Sequence, residues 1–166
     1  GNIDPRKGWD LLEKSISNLQ DIKNIRIIIF GQSKPKKELN LSIPVTFLGK
    51  FYDDFSLVML YSAADVMVVP SRMENLPQSA TEAQSCGLPV VAFDCTGFKD
   101  IIQHKQTGYL AKAYDIDDLA NGIKWVLKNK ERYIKLKENS RQQAETKWDN
   151  ITILKKHKEL YENIIS

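Results

Sequence analysis

Three short β-branched runs, each cut off by a glycine or a proline, constrain this chain more than any other feature of its sequence. Residues 25–30 read Ile-Arg-Ile-Ile-Ile-Phe and stop at Gly31; residues 45–48 read Val-Thr-Phe-Leu and stop at Gly49; residues 66–69 read Val-Met-Val-Val and stop at Pro70. Runs this short and this apolar predict strands buried on both faces, as in a parallel sheet covered by helices. Residues 90–93 (Val-Val-Ala-Phe) predict a fourth strand, and residues 108–110 a short fifth. Elsewhere the apolar spacing turns helical, over 7–19, 53–64, 77–86, 115–128, 131–147 and about 150–165. Residues 33–41 are polar and lysine-rich, a surface loop or short helix. Strands alternating with helices of this length predict an α/β fold with a doubly wound parallel sheet. Such sheets bind ligands beyond the carboxyl ends of their strands. Chemistry is therefore expected at Gly31, Gly49, residues 70–78 and residues 94–99.

Composition removes several function classes. The 166 residues are 42% hydrophobic, too apolar for disorder and enough for one domain, 1–166, with its own core. Lys and Arg number 24 against 21 Asp and Glu, and the resulting +3 is too small for a basic nucleic-acid surface. No apolar run approaches the ~18 residues of a membrane-spanning helix, and no secretion signal is visible at the start. Cys86 and Cys95 are too few for a disulfide framework and read as free thiols in a reducing cytoplasm. Neither has a basic neighbour, so both read as small buried residues and not as nucleophiles. His104 and His157 stand apart in the sequence, so neither a metal site nor a cofactor is expected. No Gly-x-Gly-x-x-Gly follows a strand and no Gly-Lys-Ser/Thr occurs, which excludes dinucleotide and P-loop readings.

The densest signal is residues 70–83, Pro-Ser-Arg-Met-Glu-Asn-Leu-Pro-Gln-Ser-Ala-Thr-Glu-Ala. It follows a predicted strand and opens a predicted helix, with Asn75 as the expected N-cap and Pro77 in the first turn. The first-turn amides then point past the strand ends without partners and form an anion site, reinforced by the helix dipole. Glu74 lies just before the helix and Glu82 within it. A carboxylate accepts several hydrogen bonds and suits the vicinal hydroxyls of a ribose or hexose. A helix N-terminus between two such acceptors can hold a phosphate and two polyols, which is the shape of a nucleotide-sugar. Taken singly, each carboxylate reads equally as a surface residue or a support for the helix dipole.

In order and spacing these residues resemble the carboxyl-terminal domain of GT-B glycosyltransferases of family 4. The resemblance rests on Pro70-Ser71 through Glu74, seven intervening residues, Glu82-Ala83, then Gly87-Leu88-Pro89-Val90-Val91-Ala92 and Gly97. Arg6-Lys7-Gly8, Phe47-Leu48-Gly49, Tyr61-Ser62-Ala63-Ala64-Asp65, Ile102 and Gly108-Tyr109-Leu110 extend it over most of the chain. It implies a donor-binding domain of a retaining, metal-independent transferase that moves a sugar from a nucleoside diphosphate to a glycan or lipid-linked acceptor. Among such enzymes the similarity is to those that build bacterial surface polysaccharides of the colanic-acid or capsule type. By position Glu82 would bind the ribose and Glu74 the hydroxyls of the transferred sugar. Lys7 would neutralise the diphosphate as it leaves, so Glu74 and Lys7 are the catalytic candidates. Asn75 and the amides of Leu76, Gln78 and Ser79 would face the distal phosphate or the sugar. Gly97, Phe98 and Lys99 would approach the same groups, and Gly31, Gly49 and Lys50 would lie near the base.

Two departures from the family carry expectations of their own. Asn2 stands where the family has an arginine on the diphosphate, and Lys34, Arg72 or Lys99 are the candidates to replace that cation. The family's domain also opens with a strand that is central in its sheet and that would precede residue 1. The expectation is that neighbouring strands close over the gap or that a second chain supplies the strand, since unpaired buried backbone is costly.

The resemblance further implies an amino-terminal domain carrying the acceptor site. Residues 148–166 would form a terminal helix that packs on it through Trp148, Ile151, Leu154, Tyr161 and Ile164; ordinary core packing is the alternative for these side chains. The expected location is cytoplasmic, with the inner face of the membrane as a further option. Two competing readings remain. One is half of a nucleotide-sugar epimerase. The other is a non-enzymatic assembly module whose lysine-rich segments 34–37, 124–137 and 155–158 dock on an acidic membrane or are simply solvated helix faces.

Overall fold

Side chains that cap helix ends fix the starts of several helices. In the computed structural model, which describes residues 4–34 and 41–165 with side chains to 164, the chain opens on a 3-10 turn, Pro5–Lys7. Helix α1 (Trp9–Ile16) follows and tightens into a 3-10 turn over Ser17–Leu19. Strands β1 (Ile27–Phe30) and β2 (Val45–Gly49) come next, then α2 (Asp54–Ala63), β3 (Met67–Val69), α3 (Gln78–Ser85) and β4 (Val90–Phe93). A four-residue helix α4 (Phe98–Ile101), β5 (Gly108–Ala111), α5 (Ile116–Leu127), α6 (Lys130–Lys147) and α7 (Asn150–Ile165) complete the chain. The carboxylate of Asp53 accepts the Ser56 amide and starts α2, Asp115 accepts those of Asp117 and Asp118 at α5, and Asn129 that of Arg132 at α6. At the end of α3, Gly87 takes φ +70 while its amide reaches Gln84 O and that of Leu88 reaches Ala83 O. That pair of bonds is a Schellman closure, which needs a left-handed residue. The expectations at Asn2 and over residues 35–40 lie outside the described residues.

The paired strands run parallel, and helices connect β2 to β3, β3 to β4 and β4 to β5, which makes this a doubly wound α/β fold. The strands form two separate ladders, β1 with β2 and β3-β4-β5. The expected closure of neighbouring strands over the gap does not occur, since β1 and β3 share no ladder. Side chains join the two sheets instead. Tyr61 of α2 is buried and meets the ring of Phe30 from β1 edge-on, 5.6 Å between centroids.

Burial differs sharply between the two sheets. All four residues of β4 are buried, Phe93 completely, beneath Leu119, Ile123 and Val126 of α5 and Phe98 and Ile101 of α4. Helix α4 falls where a loop was expected; its two apolar residues are wholly enclosed and pull the turn into helical form. By contrast β1 is not buried on both faces as predicted. Its Ile28 is 41% exposed, because a two-stranded ladder lacks the neighbour and the second layer that would cover it. On α7, Ile151, Leu154, Tyr161 and Ile164 are all exposed, so these four side chains are not ordinary core residues. Trp148, just before it, is partly buried against the core. None of the described helices is long and apolar enough to cross a membrane.

Candidate functional site

The site is assembled at the carboxyl ends of β3 and β4 by two backbone clamps. The first holds the N-terminal turn. Arg72 donates its amide to Arg6 O (2.7 Å) and its guanidinium to Pro5 O (2.8 Å) and to both carboxylate oxygens of Asp10 (2.8 and 2.6 Å). Gly8, at φ +65, lies so close that a Cβ there would sit 1.9 Å from Pro70 O. These contacts bolt residues 5–10 to the loop after β3 and bring Lys7 Nζ within 2.6 Å of Glu74 Oε1. The second clamp holds Glu74 itself. Its amide donates to Thr96 Oγ1 and its carbonyl accepts from the Gly97 amide, both at 3.0 Å. A Cβ on Gly97 would stand 1.6 Å from Asn75 O, so only glycine permits that approach.

Between the clamps lies a cleft of about 510 Å³ lined by Lys7, Glu74, Asn75, Leu76, Pro77, Gln78 and Ser79. The Glu74 side chain is 14% exposed and that of Lys7 59%, so the acid forms the wall and the base the rim. Helix α3 begins one turn position later than the sequence predicts. Its N-cap is Pro77, which is buried and extended and offers no side-chain cap, while Asn75 lies outside the helix. The consequence is chemical. The Pro77 carbonyl takes the Ala80 amide at 2.9 Å, but the amides of Gln78 and Ser79 meet no acceptor among the described residues. Two uncapped donors and a helix dipole face the same cleft as Lys7, an arrangement suited to an anion.

A second group lies beside β1. Glu82, in the second turn of α3, accepts the Tyr61 hydroxyl on Oε2 at 2.9 Å. Desolvation, and then the Glu82 carboxylate, push the Tyr61 phenol far above its ordinary range, so it stays a donor. Gly31 and Gly49 take φ of +81 and +74, are linked by the Gly31 amide to Gly49 O at 2.7 Å, and have nothing within 4 Å of a would-be Cβ. Both strand ends thus present bare backbone to open space. Lys50 is exposed beside them and meets no partner among the described residues.

Two sequence expectations change here. Phe98 is fully buried in the core, so its side chain is closed to any ligand. Arg72 is occupied by Asp10 and Pro5 O and is not free to replace a missing cation, whereas Lys99 is held only loosely by Asp94, at 3.3 Å. Sequence reasoning passed over Asp10 and Thr96: the first reads as an ordinary first-turn acid, and nothing about the second marks a residue at φ +45. Burial raises the thiol of Cys95, whose Sγ donates to Ser71 O and Arg72 O, and also that of Cys86, so neither is a ready thiolate. Asp115-Ile116-Asp117 has the spacing of an acid pair, but Asp115 is occupied as a helix cap. No cluster of three or more metal-ligating side chains occurs among the described residues.

Fold and cleft together define a doubly wound α/β domain with an anion-ready helix N-terminus flanked by two carboxylates. The model of the family "Glycosyl transferases group 1" matches residues 1–143, and the chain belongs to that family. It is 31% identical over 163 residues, 96% of this chain and 42% of the relative, to the N,N'-diacetylbacillosaminyl-diphospho-undecaprenol alpha-1,3-N-acetylgalactosaminyltransferase of Campylobacter jejuni. A sucrose-phosphate synthase from Thermosynechococcus elongatus superposes with a TM-score of 0.84 at 28% identity, covering 99% of this chain and 44% of that one. An Anabaena protein in complex with UDP and glucose shares the fold, with a TM-score of 0.83 at 22% identity over 98% of this chain and 47% of its own. The chain thus spans less than half the length of these proteins. It has the architecture of the Rossmann-like carboxyl-terminal half of GT-B glycosyltransferases.

Proposed function

We propose that this chain is the donor-binding half of a retaining glycosyltransferase of family 4 that needs no metal and takes a nucleoside-diphosphate sugar as its donor. The observation that carries the reading is the convergence of Lys7, Glu74 and the free amides of Gln78 and Ser79 on one cleft. The diphosphate sits on the helix N-terminus. Lys7 moves from Glu74 to the phosphate oxygens, which gain negative charge as the bond to the sugar breaks. Glu74, released from Lys7, takes hydroxyls of the transferred sugar, with Asn75 and the Leu76 amide beside it. Glu82 takes the ribose. Gly31, Gly49 and Lys50 border the base, and the turn at Gly97 and Lys99 closes the phosphate side.

Solved neighbours support the donor class, since their complexes contain UDP, UDP-glucose or UDP with glucose. The Campylobacter relative is named for a lipid-diphosphate acceptor, which supports a lipid-linked acceptor; on this reading the reaction serves surface-polysaccharide assembly at the cytoplasmic face of a membrane. The acceptor site belongs to an amino-terminal half, and the exposed face of α7 packs on it. A second chain supplies a strand between β1 and β3. On this account the chain alone binds donor without turning it over.

Calorimetric titration of the chain with UDP, GDP and ADP tests the reading. Saturable binding of one of them, weakened at least tenfold in Lys7→Ala, is expected; no binding of any at millimolar concentration contradicts it.

A further inference from the structure

Tyr61 sits where three parts of the molecule meet. It is 3% exposed, its ring stands edge-on to Phe30 at 87°, and its hydroxyl reaches across to α3. Phe30 immediately precedes Gly31, whose backbone faces open space. Glu82, by contrast, lies on an exposed face of its helix, and its carboxylate makes no other hydrogen bond among the described residues. A glutamate so placed ordinarily samples many rotamers, and fixing it on a ligand costs side-chain entropy at the moment of binding. Here a rigid phenol has already fixed it. The hydroxyl holds Oε2 and leaves Oε1, with both its lone pairs, without a hydrogen-bond partner among the described residues.

From this geometry we propose that Tyr61 is a positioning residue for sugar recognition by Glu82. Its hydroxyl locks one carboxylate oxygen so that the other meets the 2′ and 3′ hydroxyls of the nucleotide ribose in a single prepared orientation. The proposal rests on the nucleotide reading of Glu82 given above and adds to it the origin of the site's preference for a ribose diol. A buried tyrosine needs some acceptor for its hydroxyl in any fold. What separates positioning from mere satisfaction is that the effect must depend on the ligand's hydroxyls.

The test uses the full chain and two probes, UDP and 2′,3′-dideoxy-UDP, with calorimetric affinities for the unmodified protein, Tyr61→Phe, Glu82→Gln and the double variant. The unmodified chain is expected to prefer UDP. Tyr61→Phe should lose about tenfold in UDP affinity, the scale of one hydrogen bond to a charged group, and nothing toward the dideoxy ligand. The double variant should match Glu82→Gln alone. A general loosening of the fold weakens both probes equally and leaves their ratio unchanged, so a fall in both without a change in ratio overturns the proposal. So does a full UDP preference retained in Tyr61→Phe. If the unmodified chain binds the two probes alike, or binds neither, the nucleotide reading of Glu82 fails, and the role of Tyr61 falls with it.

Discussion

The two sheets of this molecule are built from similar runs of sequence and end in different physical states. In the three-stranded sheet every residue of β4 is buried and helices close over it, whereas β1 and β2 keep Ile28 and Leu48 more than 40% exposed. The site divides along the same line. Glu74 and the α3 amides, which would hold the phosphates and sugar, are clamped from both sides on the solid half. The open backbone at Gly31 and Gly49, which would face the base, belongs to the thin half, tied across by Tyr61 and Phe30. The clamped backbone thus lies where the proposal places the developing charge, and the part it assigns to the base stands on the thinner, more exposed sheet.

The largest effect that sharpens this contrast is expected from Phe93→Ala. Removing a fully buried ring beneath α5 should cost about 3–5 kcal/mol by denaturant unfolding. Ile28→Ala, at the half-open β1 face, should cost less than about 1 kcal/mol; equal losses would break the comparison.

The next effect comes from the glycines. Gly97→Ala drives a Cβ into the backbone at Asn75 and should cost about 1–3 kcal/mol as overpacking, abolishing donor binding as Glu74 shifts. Gly31→Ala has open space and carries only the left-handed backbone penalty of about 1–2 kcal/mol. Thermal unfolding and calorimetry on both variants read the difference.

A smaller effect is expected from the partly exposed Asp10–Arg72 pair. As a surface ion pair it contributes no more than about 1 kcal/mol to folding, but Asp10→Asn should weaken nucleoside diphosphate binding several-fold by loosening the segment that carries Lys7. The pH dependence follows from the same pair. The Arg72 guanidinium holds the Asp10 carboxyl below its ordinary 3.8. A depressed carboxyl stabilises the fold above its unfolded value and loses that contribution as pH falls through the lower folded value. The clamp should therefore be intact at neutral pH and release only below about pH 3.8, seen as a drop in unfolding midpoint that Asp10→Asn does not show.

Much of this was legible in the residues themselves. Three β-branched runs with their glycine or proline stops, and the apolar runs at 90–93 and 108–110, located the five described strands, because strands of a parallel sheet leave a continuous apolar signature. The apolar spacing also placed the helices at 53–64, 115–128 and 131–147 within a residue of their starts, although the capping role of Asp53, Asp115 and Asn129 was not read from it. The start of α3 was misplaced at Asn75, since a buried Pro77 can occupy the cap position without giving a side-chain bond, which leaves more free amides than the pattern implies. Phe98 was misjudged because a loop phenylalanine next to a site glycine looks accessible until tertiary packing encloses it. The Arg72–Asp10 clamp joins residues 62 apart, and the Tyr61–Glu82 bond joins two helices; no local pattern announces either.

A diphosphate held between Lys7 and the first amides of α3 is the contact on which donor binding depends, and amide NMR during a nucleoside diphosphate titration reads it directly. The account predicts saturable shifts of the Gln78 and Ser79 amides, with Lys7 and Thr96 following. Shifts confined to the separate cavity beside Lys105, Arg132 and Lys135, with Gln78 and Ser79 unmoved, would contradict it.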